Sequence, residues 1–270
     1  MKIKITAVLI AVFALTVAFA GSSAAQSAAS YTIGIGGSTS VTPLMEALQA
    51  EYAKAKPNVR MNISGTGSGD GITNAGVNYQ IGMSSRELTP AEQGRGLKAE
   101  IIAIDGIAVI VNSGNAASNL SIEQIRGIYT GEITNWNQVG GRNASIAVVS
   151  REEGSGTRGA FEEIVGFAGK LLAGANQLTS TGAILANVVQ NQDAIGYISL
   201  GSVNDTVKAV SVGGIAASTA NVKNGSYKVA RPFILLTGSN VHAESTALIQ
   251  WILSPAGQAI VTARGYISTN

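Results

Sequence analysis

Two stretches decide the fold: Tyr31-Thr-Ile-Gly-Ile-Gly-Gly-Ser-Thr-Ser-Val-Thr-Pro43 and Val148-Val-Ser-Arg-Glu-Glu-Gly-Ser-Gly-Thr-Arg158. In the first, Tyr31 to Ile35 alternates like a strand, and Gly36 to Ser40 is a loop of small residues. A helix follows, with Thr42 as N-cap, Pro43 at its first position, and Leu44, Leu48 and Tyr52 on one face. The second repeats the pattern: a strand to Val149, a loop from Arg151 to Thr157, then a helix carrying Phe161, Ile164 and Val165. A third case runs from Val59 to Ile63 through Gly65-Thr-Gly-Ser-Gly-Asp-Gly71 to a short helix with Ile72 and Ala75. Strands alternating with helices predict an α/β protein whose sheet is largely parallel and covered on both faces.

Other segments extend the scheme. Thr89-Pro-Ala-Glu92 and Ser121-Ile-Glu-Gln124 read as capping boxes. The helix after Ser121 buries Ile122, Ile125, Ile128 and Tyr129. Ile101–Asn112 is a long apolar strand region interrupted at Asp105-Gly106. Tyr227–Thr237 is another, and Pro232 within it argues against a central strand. Two long extended segments read as two crossings between lobes. The expected organisation is residues 31–106 plus 227–270 as lobe 1 and 107–226 as lobe 2. Ser254 caps a last helix, which Gly265 ends.

The chain has 270 residues, 46% hydrophobic and 13% charged, which is enough apolar content for a large core. It has no Cys, which excludes disulfides, thiolate metal sites and a lipid-modified cysteine. Its single histidine, His242, argues against multi-histidine metal sites and serine hydrolysis and is expected at the surface. A formal charge of +2 is too small for a nucleic-acid footprint. Lys2 and Lys4, the uncharged run Ile5–Ala20 and the small residues after it form a secretory signal, residues 1–25. Its removal leaves 16 basic against 16 acidic residues. The mature protein is therefore expected outside the cytoplasm, in the periplasm or at the outer face of the membrane.

The three loops carry the chemistry. A helix N-terminus leaves backbone N–H groups unpaired and bears about half a positive charge. Glycine lets a ligand approach closely, and Ser and Thr add hydroxyl donors. In an open α/β sheet such loops face one crevice. The expected anion contacts are Ser38, Thr39 and Ser40; Ser68; and Arg151, Ser155, Gly156 and Thr157. A guanidinium grips two oxygens of an oxyanion at once. Arg151 has an alternative reading, a salt bridge to Glu152 or Glu153. Ile81-Gly-Met-Ser-Ser-Arg-Glu87 is a fourth loop, in which Ser84 and Ser85 add donors and Arg86 and Glu87 are rim charges. Gly154-Ser-Gly-Thr-Arg-Gly159 matches a dinucleotide fingerprint, but no acid stands near Thr179-Ser180-Thr181 to take the ribose. No phosphate-binding loop with Gly-Lys-Ser/Thr, nucleophile elbow or acidic metal cluster is present in the sequence. No cofactor and no catalytic residue is expected.

At these loops the chain resembles the substrate-binding proteins of ABC phosphate transporters. The stretches that carry the resemblance are Gly37–Pro43, Gly65–Gly71, Ile81–Glu87, Asp105–Val109, Ile128–Trp136, Val148–Arg158 and Ser254–Gln258, in order along residues 31–268. It implies a type II periplasmic-binding-protein fold: two doubly wound α/β lobes joined by a two-crossing hinge and closing on one phosphate. It implies a monomeric, non-enzymatic receptor that serves membrane permease subunits and their cytoplasmic ATPase. It places phosphate on Thr39 and Ser40 with Ser38 adjacent, on Ser68, and on Arg151, Ser155, Gly156 and Thr157, with Glu153 orienting Arg151. Some relatives hold an aspartate in the fourth loop to accept the ligand's proton. Here Ser85 stands there, leaving its hydroxyl, or Asp70 at the mouth of the second loop, as candidate acceptor. That departure keeps sulfate and molybdate open as ligands. An exported phosphatase or a sensor is the alternative from another class.

Overall fold

The computed structural model describes residues 30–270. The segment read as an export signal, residues 1–25, lies outside the described residues. No helix among the described residues is long and apolar enough to cross a membrane.

The three strand–loop–helix units form as read. Strand β1 (Tyr31–Gly37) leads to helix α1 (Thr42–Ala55), whose Leu44, Leu48 and Tyr52 are buried. Val41, not Thr42, occupies the N-cap; the Thr42 hydroxyl instead donates to the Ser38 carbonyl at 3.2 Å. Strand β2 (Val59–Gly65) leads to α2 (Ser68–Asn74), and β3 (Ile81–Ser84) to the short α3 (Pro90–Gln93). Then comes β4 (Lys98–Asn112), 15 residues long, followed by β5 (Asn119–Leu120) and α4 (Ile122–Thr130). Strand β6 (Ala147–Arg151) and α5 (Gly156–Val165) make the next unit, and β7 (Asn176–Leu178), α6 (Thr181–Gln190) and β8 (Ala194–Ser199) follow. The chain continues through β9 (Val207–Ala209), β10 (Ser211–Val212), α7 (Thr219–Lys223) and β11 (Ala230–Thr237). It ends in α8 (Ala243–Leu253) and α9 (Pro255–Ala263), with the Ser254 hydroxyl capping α9 and Gly265 left-handed beyond it.

Among the described residues, one nine-stranded sheet runs β2-β1-β3-β11-β4-β8-β6-β7, with β9 also on β4. Its two wings, β2-β1-β3 and β8-β6-β7, are parallel. Its centre is antiparallel, because β11 opposes both β3 and β4, and β4 opposes β8 and β9. The sheet is therefore mixed rather than largely parallel: strand–helix alternation describes only the wings. Strand β11 is central despite Pro232. The proline sits opposite Ile104 of β4, ahead of the residues that pair with β3, which begin at Ile234. At Pro232 the strand thus has one neighbour, and the missing N–H costs no ladder bond. Asp105-Gly106 does not interrupt β4 either. The strand runs straight through, pairing with β11 up to Gly106 and with β8 from Ile107.

The core divides along β4. The largest cluster on one side holds Ile33, Ile35, Leu44, Leu48, Tyr52, Phe233, Leu248 and Val261, and a second holds Ile107, Val109, Ile128, Trp136, Phe161 and Val165, with smaller clusters around Ile110 and Val188 and around Ile72 and Leu236. In the second cluster Phe161 stacks on Tyr197 at 4.1 Å, and Tyr129 stacks on Phe167 at 5.5 Å. Such pairs contribute about 0.5–1.5 kcal/mol each beyond their burial.

Helix α2 lies almost on the sheet. A Cβ on Gly71 would stand 2.5 Å from the Met83 carbonyl oxygen, 2.8 Å from Gly37 Cα and 2.9 Å from the Gly36 oxygen. All three are backbone atoms, so the helix itself must move to admit a side chain. Gly71→Ala is expected to destabilise the protein by about 1–3 kcal/mol, an overpacking cost, read as a drop of several degrees in Tm. A second expectation concerns α3. The Arg86 guanidinium grips both oxygens of Glu92 at 2.7 and 2.8 Å, and Glu92 also accepts from the Thr89 N–H. Arg86 holds the Glu92 carboxyl at about 2, below its ordinary 4.5. A depressed folded-state value adds stability above about 4.5 that is lost as pH falls toward 2. Glu92→Gln should flatten the fall of the unfolding midpoint across that window; an unchanged slope would rule the pair out as its source.

Candidate functional site

Four strand ends and four helix starts meet at one place. The β1–α1 turn brings Ser38, Thr39 and Ser40. Its entry needs glycine: Gly37 has φ 136°, and a Cβ there would lie 2.3 Å from the Met83 oxygen. The β2–α2 turn passes through Gly67 at φ 99° and presents Ser68 as the first residue of α2. The end of β3 presents Ser84 and Ser85. Strand β6 ends on Arg151, and Ser155 caps α5 by accepting from the Arg158 N–H at 3.3 Å. Ser180 caps α6 in the same way and sets Thr181 in its first turn.

These hydroxyls are buried and touch one another across the molecule. Ser38 Oγ donates to Ser85 Oγ at 2.8 Å, and the Ser85 N–H donates to Ser68 Oγ at 3.1 Å. From the first half, Ser40 Oγ reaches Thr157 Oγ1 at 2.9 Å and Thr181 Oγ1 at 3.1 Å in the second. Thr39 Oγ1 reaches Thr181 Oγ1 at 3.3 Å. The halves also meet through backbone, the Gly69 N–H donating to the Gly154 carbonyl at 3.0 Å. Gly156 is pressed against the first half: a Cβ there would lie 2.3 Å from Ser68 Oγ and 2.9 Å from Ser85 Oγ. The N–H groups of Gly156 and Thr157, in the first turn of α5, have no partner among the described residues. They are donors of the kind a helix N-terminus leaves over.

Arg151 is 2% exposed. Its Nε and Nη2 grip Glu152 at 2.8 Å each and also contact the Leu178 and Thr179 carbonyls. Nη1 has no partner among the described residues and is left to donate. The Arg151 N–H itself donates to the Tyr197 hydroxyl at 3.2 Å, which also pairs with Ser150 Oγ at 2.8 Å. Burial pushes that phenol up to about 12, so it stays neutral. A second buried cation stands behind the cluster. Arg231 Nη2 pairs with Asp105 at 3.1 Å, while Nη1 donates to the Ser85 hydroxyl at 3.2 Å and to its carbonyl at 3.3 Å. Ser199 Oγ donates to the other Asp105 oxygen at 2.9 Å. Burial raises the Asp105 carboxyl to about 6 against the pull of Arg231, and burial likewise lowers Arg231.

The structure brings Ser38, Thr39, Ser40, Ser68, Ser85, Gly156 and Thr157 into this one cluster, with Ser155 at the cap of α5 beside Gly156 and Arg151 at the end of β6 that leads to it. The three supporting residues fare differently. Glu152, not Glu153, holds Arg151; Glu153 is exposed, since the chain turns outward after Glu152. Asp70 faces away as an acceptor for the cluster, its oxygens taken by Thr66 at 2.5 Å, Asn74 at 2.7 Å and Tyr79 at 2.8 Å. The Thr66 bond leads the causes that lower its pKa. Ser84 Oγ donates to the Arg86 carbonyl at 2.9 Å and accepts the Arg86 N–H, which fixes the loop. Arg86 pairs with Glu92 rather than with the Glu87 carboxylate. His242 is exposed, stacks on Tyr31 at 4.0 Å and caps α8 through Nδ1.

Three participants escaped the sequence reading, Thr181, Arg231 and Asp105; Glu152 is one of the two salt-bridge partners it offered for Arg151. Arg231 and Asp105 did leave a signal, each being a charge set in an apolar run, Ile101–Asn112 around Asp105 and Ala230–Thr237 around Arg231. Thr181 left only the helix start after Ser180. Among the described residues no cluster of acidic residues or histidine is placed to hold a metal ion. The open depressions lie elsewhere. A pocket of about 250 Å³ is lined by Tyr31, Gly76, Tyr79, Gln80, Gly238 and His242, none of them in the cluster. The cluster's hydroxyls already stand at hydrogen-bond distance from one another.

Known proteins align along nearly the whole chain. A family model described as a PBP superfamily domain matches residues 22–256. The phosphate-binding protein PstS of Borreliella burgdorferi is 28% identical over 251 residues, which is 87% of this chain and 89% of that protein. The crystal structure of a phosphate ABC transporter substrate-binding protein from Clostridium perfringens, with bound phosphate, is 45% identical with a TM-score of 0.87. It spans 88% of this chain and 100% of that one. An ABC-type phosphate transport receptor from Vibrio cholerae is 36% identical, with a TM-score of 0.73 over 88% of this chain and 99% of its own. With the family model over most of its length and such relatives covered almost end to end, this chain belongs to the PBP superfamily.

Proposed function

We propose that the protein is a non-catalytic receptor that binds inorganic phosphate between its halves, outside the cytoplasm, and passes it to the permease of an ABC importer. The observation that carries this reading is the buried cluster itself. Hydroxyls of Ser38, Ser40, Ser68, Ser85 and Thr157, unpaired amides of Gly156 and Thr157 and one guanidinium meet with no free carboxylate among them. That is a set of donors with one positive charge, suited to a small tetrahedral anion. The substrate-binding protein and the receptor from C. perfringens and V. cholerae are named for phosphate and match this chain nearly throughout.

Dehydrating a multiply charged anion is costly, and several donors must offset it together. Each hydrogen bond to a charged group contributes about 1.5–3 kcal/mol net. Micromolar affinity requires only about 8 kcal/mol. The donors just named cover that and leave a surplus for holding the halves together. In this reading residues 31–106 with 227–270 form one lobe and 107–226 the other, β4 and β11 are the crossings, and a monomer suffices. Glu152 holds the Arg151 guanidinium in place, at the expense of two of its five donors.

The decisive experiment is calorimetric titration of the chain from about residue 26, stripped of bound ligand by partial unfolding and refolding. One-to-one binding of phosphate, with sulfate far weaker, is expected. Heat from sulfate alone would make the protein a receptor for another oxyanion, and silence toward both would overturn the receptor reading. Arg151→Ala should weaken phosphate at least tenfold, the loss of about 1.4 kcal/mol or more, while the protein stays folded by circular dichroism. A chromogenic phosphate ester should not be turned over; measurable hydrolysis would favour an exported phosphatase.

A further inference from the structure

Inorganic phosphate at neutral pH carries a proton, so one of its oxygens is a donor that must meet an acceptor. Burying that P–OH against another donor leaves both unsatisfied. The cluster does not treat its hydroxyls alike. Ser85 Oγ accepts from Ser38 Oγ at 2.8 Å and from Arg231 Nη1 at 3.2 Å. A hydroxyl has two lone pairs and one proton, so both acceptor positions of Ser85 are filled and only its O–H remains to give, with Ser68 Oγ at 3.4 Å as its partner until a ligand takes it. Arg231 is held to that task. It is 3% exposed, its other terminal nitrogen is fixed by Asp105, and its Nε has no partner among the described residues. The Ser68 hydroxyl already accepts the Ser85 N–H.

The opposite side is different in kind. Ser40 Oγ meets Thr157 Oγ1 at 2.9 Å and Thr181 Oγ1 at 3.1 Å, and Thr39 Oγ1 meets Thr181 Oγ1 at 3.3 Å. In each pair either oxygen can be the donor. No guanidinium donates to any of these four oxygens among the described residues. The chain of hydroxyls can therefore reverse and take up a proton offered from outside. The carboxylates nearby are each turned to partners other than these hydroxyls. Glu152 is occupied by Arg151, Asp105 by Arg231 and Ser199, and Asp70 by Thr66, Asn74 and Tyr79.

We propose that Arg231 sets the hydrogen-bond polarity of the anion site: it makes Ser85 an obligate donor, so the ligand's own proton is accepted on the opposite side by the hydroxyls of Ser40, Thr157 and Thr181. Arg231 is thus a positioning residue, and Ser40 with Thr157 determines specificity for a protonated anion. This rests on the phosphate reading above. It also revises the role of Ser85, which the sequence alone offered as an acceptor for the ligand's proton.

Sulfate tests the idea, because it has the same shape and no proton. Phosphate is titrated by calorimetry, and sulfate is measured by its displacement of phosphate. In Ser40→Ala and in Thr157→Val the phosphate-to-sulfate affinity ratio should fall at least tenfold. In Ser85→Ala, which toward the ligand removes only a donor, both affinities should fall together and leave the ratio within about threefold. Arg231→Met alone would strand a buried Asp105 charge, so Arg231 is replaced together with Asp105→Asn. That double replacement should weaken phosphate in the native background and add little once Ser85 is alanine, a non-additivity that a purely structural role for Arg231 would not produce. A ratio that collapses in Ser85→Ala and survives in Ser40→Ala overturns the proposal, as does full additivity of the Arg231 and Ser85 effects. If the Arg231 and Asp105 double variant does not fold, the Ser40 and Ser85 arms decide alone. The unaltered protein separates the two questions: failure to bind phosphate there removes the phosphate reading itself, whereas normal binding with the wrong variant pattern removes only the polarity argument.

Discussion

Strand β4 is the constraint on which the rest depends. Its fifteen residues belong to both halves, pairing with β11 as far as Gly106 and with β8 from Ile107. At the changeover sits Asp105, fully buried and paired with Arg231 of β11. Charges in such a place need a partner each, and their leftover donors and acceptors need filling; among the described residues Arg231 Nε stays unpaired. Here Ser199 takes the second oxygen of Asp105, and Ser85 takes the second nitrogen of Arg231. The ion pair therefore does more than hold two strands side by side. It ties β8 of one half to the end of β3 in the other through the two strands that cross between them.

The site follows from that geometry. Strands within each wing are parallel, but β3 runs with β4 whereas β8 opposes it, so the two wings run toward each other and end near the middle of β4, where the helices that follow start. Helix starts bring unpaired amides and capping hydroxyls with no dedicated binding element. What remains is spacing, and glycine supplies it. Gly71 lets α2 lie against β1 and β3, and Gly156 lets the start of α5 reach Ser68 and Ser85 without a clash. One buried guanidinium then gives the cluster its sign. The net charge of the whole chain has little bearing on this, because amide dipoles and Arg151 act at contact distance.

The legible parts of the sequence were those written in local pattern. The strand–loop–helix units, the buried faces of α1 and α4, the capping boxes at Thr89 and Ser121, and the Ser/Thr/Gly-rich loops all rest on neighbours a few positions apart. The errors share a different cause. Glu153 and Glu152 are equivalent as letters, and only the turn after β6 decides which of them faces Arg151. Asp70 looks free until Tyr79 and Asn74 fold against it. Pro232 argues for an edge strand until it is seen to lie just short of the β3 ladder. Arg231 and Asp105 stand out as charges in apolar strands, yet 126 residues separate them, and no spacing rule joins two residues that far apart.

By itself, then, the sequence determined the elements, their capping, the donor-rich loops and the absence of thiol chemistry, because hydrophobic periodicity and backbone preferences act over a turn of helix or a few residues of strand. Tertiary structure alone decided the antiparallel centre of the sheet, the Arg231–Asp105 pair, the arrival of Thr181 beside Ser40, and which hydroxyls are bound to donate and which are free to reverse. Those depend on strand order and on hydrogen-bond partners brought from the far side of the chain. A hydroxyl's role is fixed by the atoms around its two lone pairs, and no residue's letter carries that information.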